Sequence, residues 1–540
     1  MQCYFFFCFI ILQIIFHYIK MNEEQIRATL EEEAEITDYD DENDSEVEDF
    51  LEVQEENRDT EQENDDEELD ALDSRQLQNR SLDFYQGKDG RTRWNKIPSS
   101  TQVRRRSRNI VVQLPGARGE AKHLKEAGEI WRLFFSEATI DRIVKCTNDQ
   151  IKRIRPNFVR ERDCTDTDVI EIEALLGLLL FAGARRSSRL NAKDLFRTDG
   201  SSPEIFRLTM SWNRFYLLMR SFRGRCGFRQ YIPSKPNKYG IKIFALSDAK
   251  KFYTHKMEVY VGKQPDGPFN VDNSAMALVL RLTEGIRNTG RNVTCDNFFT
   301  SLPLLDKLES EKLTLLGTIR KNKRELPKDF TEIRGRAEKS SLFGHRGNCT
   351  LVSYVPKKGK NVLLVSSMHD DSEINEETGK PEIIMEYNRT KGGVDTVDKL
   401  CETYNVARGT NRWPMVIFYS LINVAGINAH IIYQENNPNK KVNRRIFLEA
   451  LSYDLINMQL RRRALITSLP KTMKLRLAEI CQLDGPESSA TSDNNKIGRC
   501  GYCSAKKNRK TRYNCAICKK YFCLEHAVMI CPDCHNASDN

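Results

Sequence analysis

The side chains most able to do chemistry include four aspartates in the second half of the chain. Asp248 and Asp296 each close a predicted strand, and functional side chains of α/β sheets commonly lie at strand ends. Asp395 and Asp398 are three residues apart on a predicted helix, so they share one face. Carboxylates gathered at one point repel one another unless cations fill the cluster, and such oxygen ligands suit Mg²⁺. The aspartates therefore predict a two-metal magnesium site that acts on a phosphate, although isolated aspartates at such positions also serve as caps or turn residues.

Basic residues follow and precede these acids along the chain. Arg320, Lys321 and Lys323 come after a predicted strand, and Arg389 with Lys391 comes just before the predicted helix. Lysine and arginine in such places are candidates for contacts with the phosphates of a nucleic acid.

Paired cysteines near the C-terminus form a second candidate site. Each pair, separated by two residues, can hold one side of a Zn²⁺ ion, and two pairs complete a tetrahedral site. Four pairs give two sites, and an interleaved arrangement joins the first pair with the third and the second with the fourth. The predicted ligands are Cys500, Cys503, Cys515, Cys518, Cys523, His526, Cys531 and Cys534.

Metal is expected to fold this module, since about forty residues are too few for a large apolar core. Lys507, Arg509 and Arg512 lie between its first two pairs and suit contacts with DNA phosphates. Disulfides are the alternative to metal. A RING-like ubiquitin ligase is a competing class of protein, although the histidine is the sixth of eight ligands here, unlike the usual RING order.

The elements that position these residues change in character along the chain. From about residue 119 the pattern is helical: Asp168 with Glu171 fits a capping box, and Ala174–Ala184 is apolar nearly all round, which predicts a buried helix. Strands and helices then alternate, which indicates a mixed α/β sheet. The predicted strands are 241–247, 258–262, 291–295, 313–319, 350–355 and 361–367, and the predicted helices are 203–222, 275–282, 394–401 and 415–433.

Charge is distributed unevenly over the 540 residues, of which 39% are hydrophobic and 30% charged. Residues 21–70 hold 25 acids and 2 bases, whereas the whole chain has a net charge of +8. The acidic segment should be disordered, and the basic remainder indicates a polyanionic partner. A run of arginines at 104–108 is a candidate nuclear-import signal or phosphate contact. The composition excludes a polytopic membrane protein.

Residues 3–19 form an apolar run with neither a basic region before it nor a small-residue cleavage site after it. We expect Met21 to be the natural start, with residues 1–20 an artefact, and we expect no membrane association.

Four segments resemble the piggyBac transposases. Pro233–Lys242 (PSKPNKYGIK) is similar to the segment leading to their first catalytic aspartate, and Asn292–Ser301 (NVTCDNFFTS) to the segment around the second. Tyr387–Asp398 (YNRTKGGVDTVD) is similar to the segment around the third, and Asn411–Pro414 (NRWP) also matches. The resemblance runs from about residue 94 to the C-terminus.

The resemblance implies an RNase H-like α/β catalytic domain inserted in an α-helical dimerisation and DNA-binding domain. It also implies a C-terminal cross-brace zinc module, Mg²⁺-dependent cleavage and strand transfer at transposon ends, TTAA target sites, a homodimer and a nuclear location. Carried over, Asp248, Asp296 and Asp395 are the metal-binding triad and Asp398 is a supporting acid. Arg412 and Trp413 become candidates for DNA contact; the alternative for the tryptophan is a core contact where its helix begins.

One departure from the family pattern stands at Phe222–Arg223, where a stretch of several tens of residues is missing. The alternative function is therefore a domesticated DNA-binding protein that does not cut. The expected division is an apolar extension (1–20), an acidic tail (21–74), a basic arm (75–118), a helical domain in two parts (119–230 and 402–483), an RNase H-like domain in two parts (231–320 and 382–401), an insertion (321–381), a linker (484–498) and the zinc module (499–540).

Overall fold

The computed structural model describes residues 52–53, 83–98, 110–221, 230–231, 239–262, 271–410, 412–482, 497–504, 507, 509–515 and 518–528. The chain divides into two compact units, residues 1–456 and 457–540. The apolar run at 3–19, nearly all of the acidic segment, the arginines at 104–108 and the departure at Phe222–Arg223 lie largely outside the described residues.

Thirteen α-helices are described. They are α1 Ala127–Arg132, α2 Glu137–Ile154, α3 Val169–Ala184, α4 Ile205–Thr209, α5 Trp212–Arg220, α6 Ala275–Thr283, α7 Leu302–Ser310, α8 Lys328–Thr331, α9 Glu382–Thr390, α10 Gly393–Thr403, α11 Trp413–Asn436, α12 Arg444–Ala464 and α13 Lys471–Ile480.

Sixteen strands are described, several of them only two residues long. They are β1 Glu52–Val53, β2 Phe84–Gln86, β3 Arg93–Asn95, β4 Gln230–Tyr231, β5 Tyr239–Gly240, β6 Ile243–Ser247, β7 Thr254–Val259, β8 Asn292–Cys295, β9 Thr314–Thr318, β10 Ser341–Arg346, β11 Cys349–Lys357, β12 Lys360–Ser366, β13 Ile374–Asn375, β14 Lys380–Pro381, β15 Gly498–Arg499 and β16 Lys510–Thr511.

A mixed seven-stranded sheet is the largest sheet in the described part of the chain. Its strand order is β2-β3-β10-β11-β12-β9-β8. Within this sheet only β8 and β9 pair in parallel, with Cys295 opposite Gly317. A parallel pair needs a crossover, and α7 supplies it, beginning at Ser301, whose side chain accepts a hydrogen bond from the backbone N–H of Leu304.

The hairpin β2–β3 completes the other edge of this sheet, within the segment that the sequence predicts to be an exposed basic arm. It belongs to the fold because Trp94 on β3 is fully buried in the core, and its Nε1 donates to the Glu325 carbonyl oxygen at 2.9 Å. Strands β10, β11 and β12 extend the sheet of β8 and β9, so the expected boundary between residues 320 and 321 falls within one sheet. The sequence pattern misses β10.

The hairpin β6–β7 forms a two-stranded sheet of its own and packs on helices α10 and α11. Met257 and Val259 of β7 lie in one core cluster with Val397 of α10 and Ile417 of α11. The buried side-chain amide of Asn428 both accepts from the backbone N–H of Thr254 and donates to its carbonyl oxygen, each at 2.9 Å. This asparagine, a polar residue within the apolar helix α11, therefore holds β7 against the helix.

Helix α3 has the buried character that its sequence predicts. Asp168 Oδ1 accepts from the Glu171 backbone N–H at 2.9 Å, and every residue from Ala174 to Ala184 is buried. The segment 203–222, predicted as one helix, forms α4 and α5 with a break at Met210. Among the described helices, only α11 is long and apolar enough to cross a membrane, and 67% of its apolar stretch is buried inside the protein.

Candidate active site and metal centre

Asp248 occupies the turn between β6 and β7. Its Oδ1 accepts from the backbone N–H groups of Lys250 at 2.8 Å and Lys251 at 2.6 Å, and its own N–H donates to the Tyr253 carbonyl oxygen. The carboxylate is therefore held in a fixed, exposed position by a hydrogen-bonded turn.

Asp296 follows the last residue of β8. Its Oδ1 accepts from the Phe298 N–H at 3.0 Å, and its carbonyl oxygen accepts from the Thr300 hydroxyl at 2.7 Å. Gly317 of the neighbouring strand leaves room for this turn, because a Cβ there would lie 2.2 Å from Thr300 Oγ1 and 2.8 Å from the Cys295 carbonyl oxygen.

Asp395 lies in the first turn of α10, and Asp398 lies one turn further on; both are exposed. The helix begins against the Asp248 turn. A Cβ on Gly393 would be 3.5 Å from the Ala249 Cα and 3.7 Å from the Ser247 carbonyl oxygen. The start of α10 therefore packs against the turn that holds Asp248.

Tyr387 of α9 connects the second and third aspartates electrostatically. Burial is the largest cause of its raised pKa, and the negative charges of Asp296 and Asp395 act in the same direction. Helix α9 is anchored to β8, since the Thr294 hydroxyl donates to Thr390 Oγ1 at 2.9 Å. Asp296 and Asp395 thus both lie within electrostatic reach of one phenol.

Arg291 directly precedes β8 and is affected by the charge of Asp248. Burial is the main cause of its lowered pKa, the nearby charge of Arg118 adds to it, and Asp248 opposes it. Its Nη2 also donates to the Gln113 carbonyl oxygen at 3.2 Å. A guanidinium therefore lies within electrostatic reach of the first aspartate.

The donor set fits a hard divalent cation. In the hydrogen bonds of Asp248 and Asp296 that the structure describes, Oδ1 is the acceptor, so Oδ2 of each remains available as a ligand. The three carboxylates do not form one tight cluster: among described residues, only a cysteine–histidine group brings three or more such ligand atoms within 4.8 Å of one another. A wider arrangement of carboxylates suits two ions about 3.5–4 Å apart.

The predicted phosphate contacts lie in different environments. Arg320, Arg389 and Lys391 are exposed, and Arg389 forms an ion pair with Glu386 one turn away. Lys321 and Lys323 are half-buried, and burial lowers the pKa of Lys321.

Trp413 begins α11, half-buried against the core cluster shared by β7, α10 and α11. The core contact, which was the alternative to DNA contact for this tryptophan, is therefore present, and stacking on DNA stays a prediction. Arg412 precedes the helix at its N-cap position, and its Nη1 donates to the Met219 carbonyl oxygen at 3.1 Å.

The cysteine module brings its first and third ligand pairs together. Ligand atoms of Cys500, Cys503, Cys523 and His526 all lie within 4.8 Å of one another. The Cys503 and Cys523 sulfurs are 3.7 Å apart, and His526 Nδ1 lies 3.2–3.8 Å from the three sulfurs. With Zn–S near 2.3 Å, a tetrahedral site places two sulfurs about 3.8 Å apart, so the set fits zinc.

Backbone contacts support this arrangement. The Cys523 N–H donates to Cys500 Sγ at 3.3 Å, and the Cys500 N–H donates to the Arg509 carbonyl oxygen at 3.0 Å. The hydrogen bond with His526 lowers the pKa of the Cys523 thiol to about 6, which favours the thiolate that a metal requires. Cys500, Cys503 and Cys523 are free cysteines, and the 3.7 Å between the Cys503 and Cys523 sulfurs is far longer than a disulfide bond.

The second predicted zinc site is only partly described. Cys515 is half-buried and Cys518 exposed, while Cys531 and Cys534 lie outside the described residues.

Arg509 has partners within the module, and its predicted DNA contact stays a prediction. Its Nη1 forms an ion pair with Glu525 Oε1 at 2.5 Å and lies 3.9 Å from Cys523 Sγ. Lys507 and Arg512 are exposed, and Arg512 lies over the Tyr513 ring at 5.7 Å.

Comparison with known proteins identifies the family. The family described as Transposase IS4 matches residues 126–223 and 218–430, more than half of the chain. A piggyBac transposase, solved by cryo-EM as a synaptic complex with hairpin DNA, is 33% identical with a TM-score of 0.66; the match covers 78% of this chain and 100% of that one. The chain belongs to the piggyBac transposase family. The two matched parts overlap at residues 218–223, which include the predicted departure at Phe222–Arg223.

Two human proteins also match the piggyBac-family chain. PiggyBac transposable element-derived protein 3 of Homo sapiens is 26% identical over 236 residues, 40% of this chain and 40% of the relative. The human Chimeric ERCC6-PGBD3 protein is 26% identical over the same length, which is 22% of that protein. This chain therefore aligns with less than half the length of these curated relatives.

Residues beyond the predicted set also shape the site. Lys242 lies over the rings of Phe244 and Phe298 at 4.9 and 4.8 Å, and burial lowers its pKa while Asp296 opposes that shift. Lys242 stands within the motif PSKPNKYGIK, but the motif does not show which rings it meets. Tyr387 likewise opens the motif YNRTKGGVDTVD, which does not show that it lies near Asp296, and Gly317 carries no sequence signal without knowledge of the pairing between β8 and β9.

Proposed function

We propose that this chain is a DNA transposase that cleaves phosphodiester bonds at transposon ends and joins the ends to TTAA target sites. The proposal is supported by the positions of Asp248, Asp296 and Asp395 at a hairpin turn, a strand end and a helix start. The start of α10 packs against the turn that holds Asp248, and the charges of Asp296 and Asp395 both act on Tyr387. Family membership and the 33% identity to the solved piggyBac transposase support it.

The three aspartates would hold Mg²⁺, with Asp398 a supporting acid one turn along α10. When bound, such ions activate the attacking oxygen and stabilise the leaving oxygen at the phosphate. Water or a 3′-hydroxyl then attacks the phosphodiester in line with the leaving group. The exposed charges of Arg389, in the last turn of α9, and Lys391, between α9 and α10, would hold DNA phosphates.

The finer fold assignment belongs to the same proposal. We infer that β6, β7, β8 and β9 with α10 form an RNase H-like catalytic domain, inserted between helical parts that bind DNA and dimerise. The cysteine module is inferred to hold zinc in a cross-brace and to bind the transposon ends. A nuclear location follows from the substrate.

The test is cleavage by the purified full chain of a labelled duplex that carries the element's end beside TTAA, with Mg²⁺ added. Asp248→Asn and Asp395→Asn should each abolish nicking, because an amide is a poor ligand for Mg²⁺ and lacks the charge that holds it. Asp306→Asn is the matched control, since that exposed acid of α7 pairs with Arg346. Nicking that survives in both active-site variants would overturn the assignment.

A second candidate, a domesticated DNA-binding protein that does not cut, is favoured by the predicted departure at Phe222–Arg223, near which the two parts of the family match overlap. It predicts tight binding of the ends with no nicking by the unaltered chain. Ubiquitin transfer with a partner enzyme is the outcome that would instead favour a RING-like ligase.

A further inference from the structure

A cation and three aromatic rings form a compact group beside Asp296. The Lys242 ammonium nitrogen lies 4.9 Å from the centre of the Phe244 ring, 4.8 Å from that of Phe298 and 5.9 Å from that of Tyr260. Phe244 and Phe298 are nearly parallel, at an interplanar angle of 16° and a centroid separation of 6.5 Å. A cation over ring faces is held in place electrostatically.

Phe298 is the exposed member of this group and is coupled directly to the second aspartate. Its ring is 36% exposed, and its backbone N–H donates to Asp296 Oδ1 at 3.0 Å. Phe299 supports it edge-on at 4.9 Å and packs in turn against the core of the seven-stranded sheet. An exposed ring that is already fixed by its neighbours loses little conformational entropy when a flat ligand stacks on it.

We propose that Lys242 and Phe298 form a nucleotide platform beside Asp296, with the Phe298 ring stacking on a DNA base and the Lys242 ammonium contacting a neighbouring phosphate. This inference rests on the proposed function and deepens it, since it names the residues that would place the scissile nucleotide. Stacking on an aromatic face tolerates any base, whereas the lysine supplies attraction to the backbone.

The exposed ring of Phe298 and the positive charge of Lys242 lie side by side, which favours a role in binding over a purely structural one. A phenylalanine that only filled the core would be covered, as Phe299 largely is. A lysine with a purely structural role would not need to lie close to the turn that holds Asp296. Removing Phe298 should therefore change DNA binding more than stability.

The experiment measures the fluorescence of 2-aminopurine placed at each adenine of a TTAA hairpin loop on a duplex oligonucleotide. The full chain is titrated in buffer without magnesium, so that binding is observed without cleavage. Phe298→Ala should reduce the quenching that stacking produces and weaken binding about tenfold, while Phe298→Trp keeps both. Lys242→Met should lower the salt slope of binding by about one, and Lys242→Arg should restore it.

Matched controls are Ile374→Ala, which removes an exposed apolar side chain from β13, and Lys358→Met, which removes an exposed charge from the turn between β11 and β12. Both should bind and quench as the unaltered chain does. Thermal melting of every variant separates a loss of fold from a loss of contact.

Quenching and affinity that stay unchanged in Phe298→Ala and Lys242→Met would overturn the platform, as would an unaltered chain that causes no quenching. Failure of the proposed function gives a different result. If quenching depends on Phe298 but added Mg²⁺ produces no nicking, the platform stands and the cutting activity is refuted.

Discussion

Replacing Gly317 with alanine should disturb the Asp296 turn without touching any carboxylate. The added Cβ would lie 2.2 Å from Thr300 Oγ1, where real contacts of this kind stay above 3.0 Å, so one of the groups must move by about 0.8 Å. Rotating the Thr300 side chain does not avoid the cost, because its hydroxyl donates to the Asp296 carbonyl oxygen at 2.7 Å. The Cys295 carbonyl oxygen, at 2.8 Å from the new Cβ, is backbone and cannot turn aside.

The expected cost is about 1–3 kcal/mol of stability from overpacking. A displacement near 1 Å at a catalytic group reduces rates by as much as about 100-fold, so nicking should fall well beyond the effect on folding. The assay is single-turnover nicking of an end duplex, with denaturant unfolding measured on the same samples.

Gly393→Ala is the matched control, because its Cβ would meet its nearest neighbour at an ordinary 3.5 Å beside the Asp248 turn. It should cut as the unaltered chain does. Adding Thr300→Ala to Gly317→Ala should recover part of the rate by removing the closest clash. Equal rates for Gly317→Ala and Gly393→Ala would refute the reasoning that steric contact at β9 sets the position of Asp296.

Three further predictions concern the zinc module and the sheet edge. Cys523→Ser should lower the zinc content measured by elemental analysis and abolish binding of transposon ends, and an unchanged metal stoichiometry would argue against a metal at this site. Arg509→Met should speed the loss of zinc to a chelator, because the Arg509 guanidinium contacts Cys523 and Glu525. Arg512→Met should instead lower the affinity for DNA and the salt slope of binding. The reverse pattern would show that Arg509, rather than Arg512, contacts DNA. Trp94→Ala should destabilise the protein by about 3–5 kcal/mol in denaturant unfolding, and a loss below 1 kcal/mol would show that the N-terminal hairpin is not part of the core.

Much of the local structure could be predicted because it depends on short patterns. The cap at Asp168, the buried helix α3 and the strands that end at Asp248 and Asp296 follow from side chains close together in sequence. The metal-ligand pairs are equally local, and the structure brings the first pair beside the third, as the interleaved order predicts.

Long-range pairing could not be predicted in the same way. Nothing in residues 83–98 indicates that Trp94 will fill a core formed by residues from Val279 onward. The ion pair of Arg509 with Glu525 could not be predicted for a related reason, since charge near a zinc ligand suits both DNA and a neighbouring glutamate. The need for glycine at position 317 depends on its pairing with Cys295, and only the register of the sheet shows this pairing.

The most direct test of the account is plasmid excision in cells, using a donor that carries the element's own ends beside TTAA. The account predicts precise repair to a single TTAA with the unaltered chain and none with Asp296→Asn, although both proteins are expressed and bind the ends equally. Excision that persists in Asp296→Asn would contradict the catalytic role of that carboxylate. If neither protein excises while both bind, the chain is a DNA-binding relative that has lost cutting, and the central claim fails.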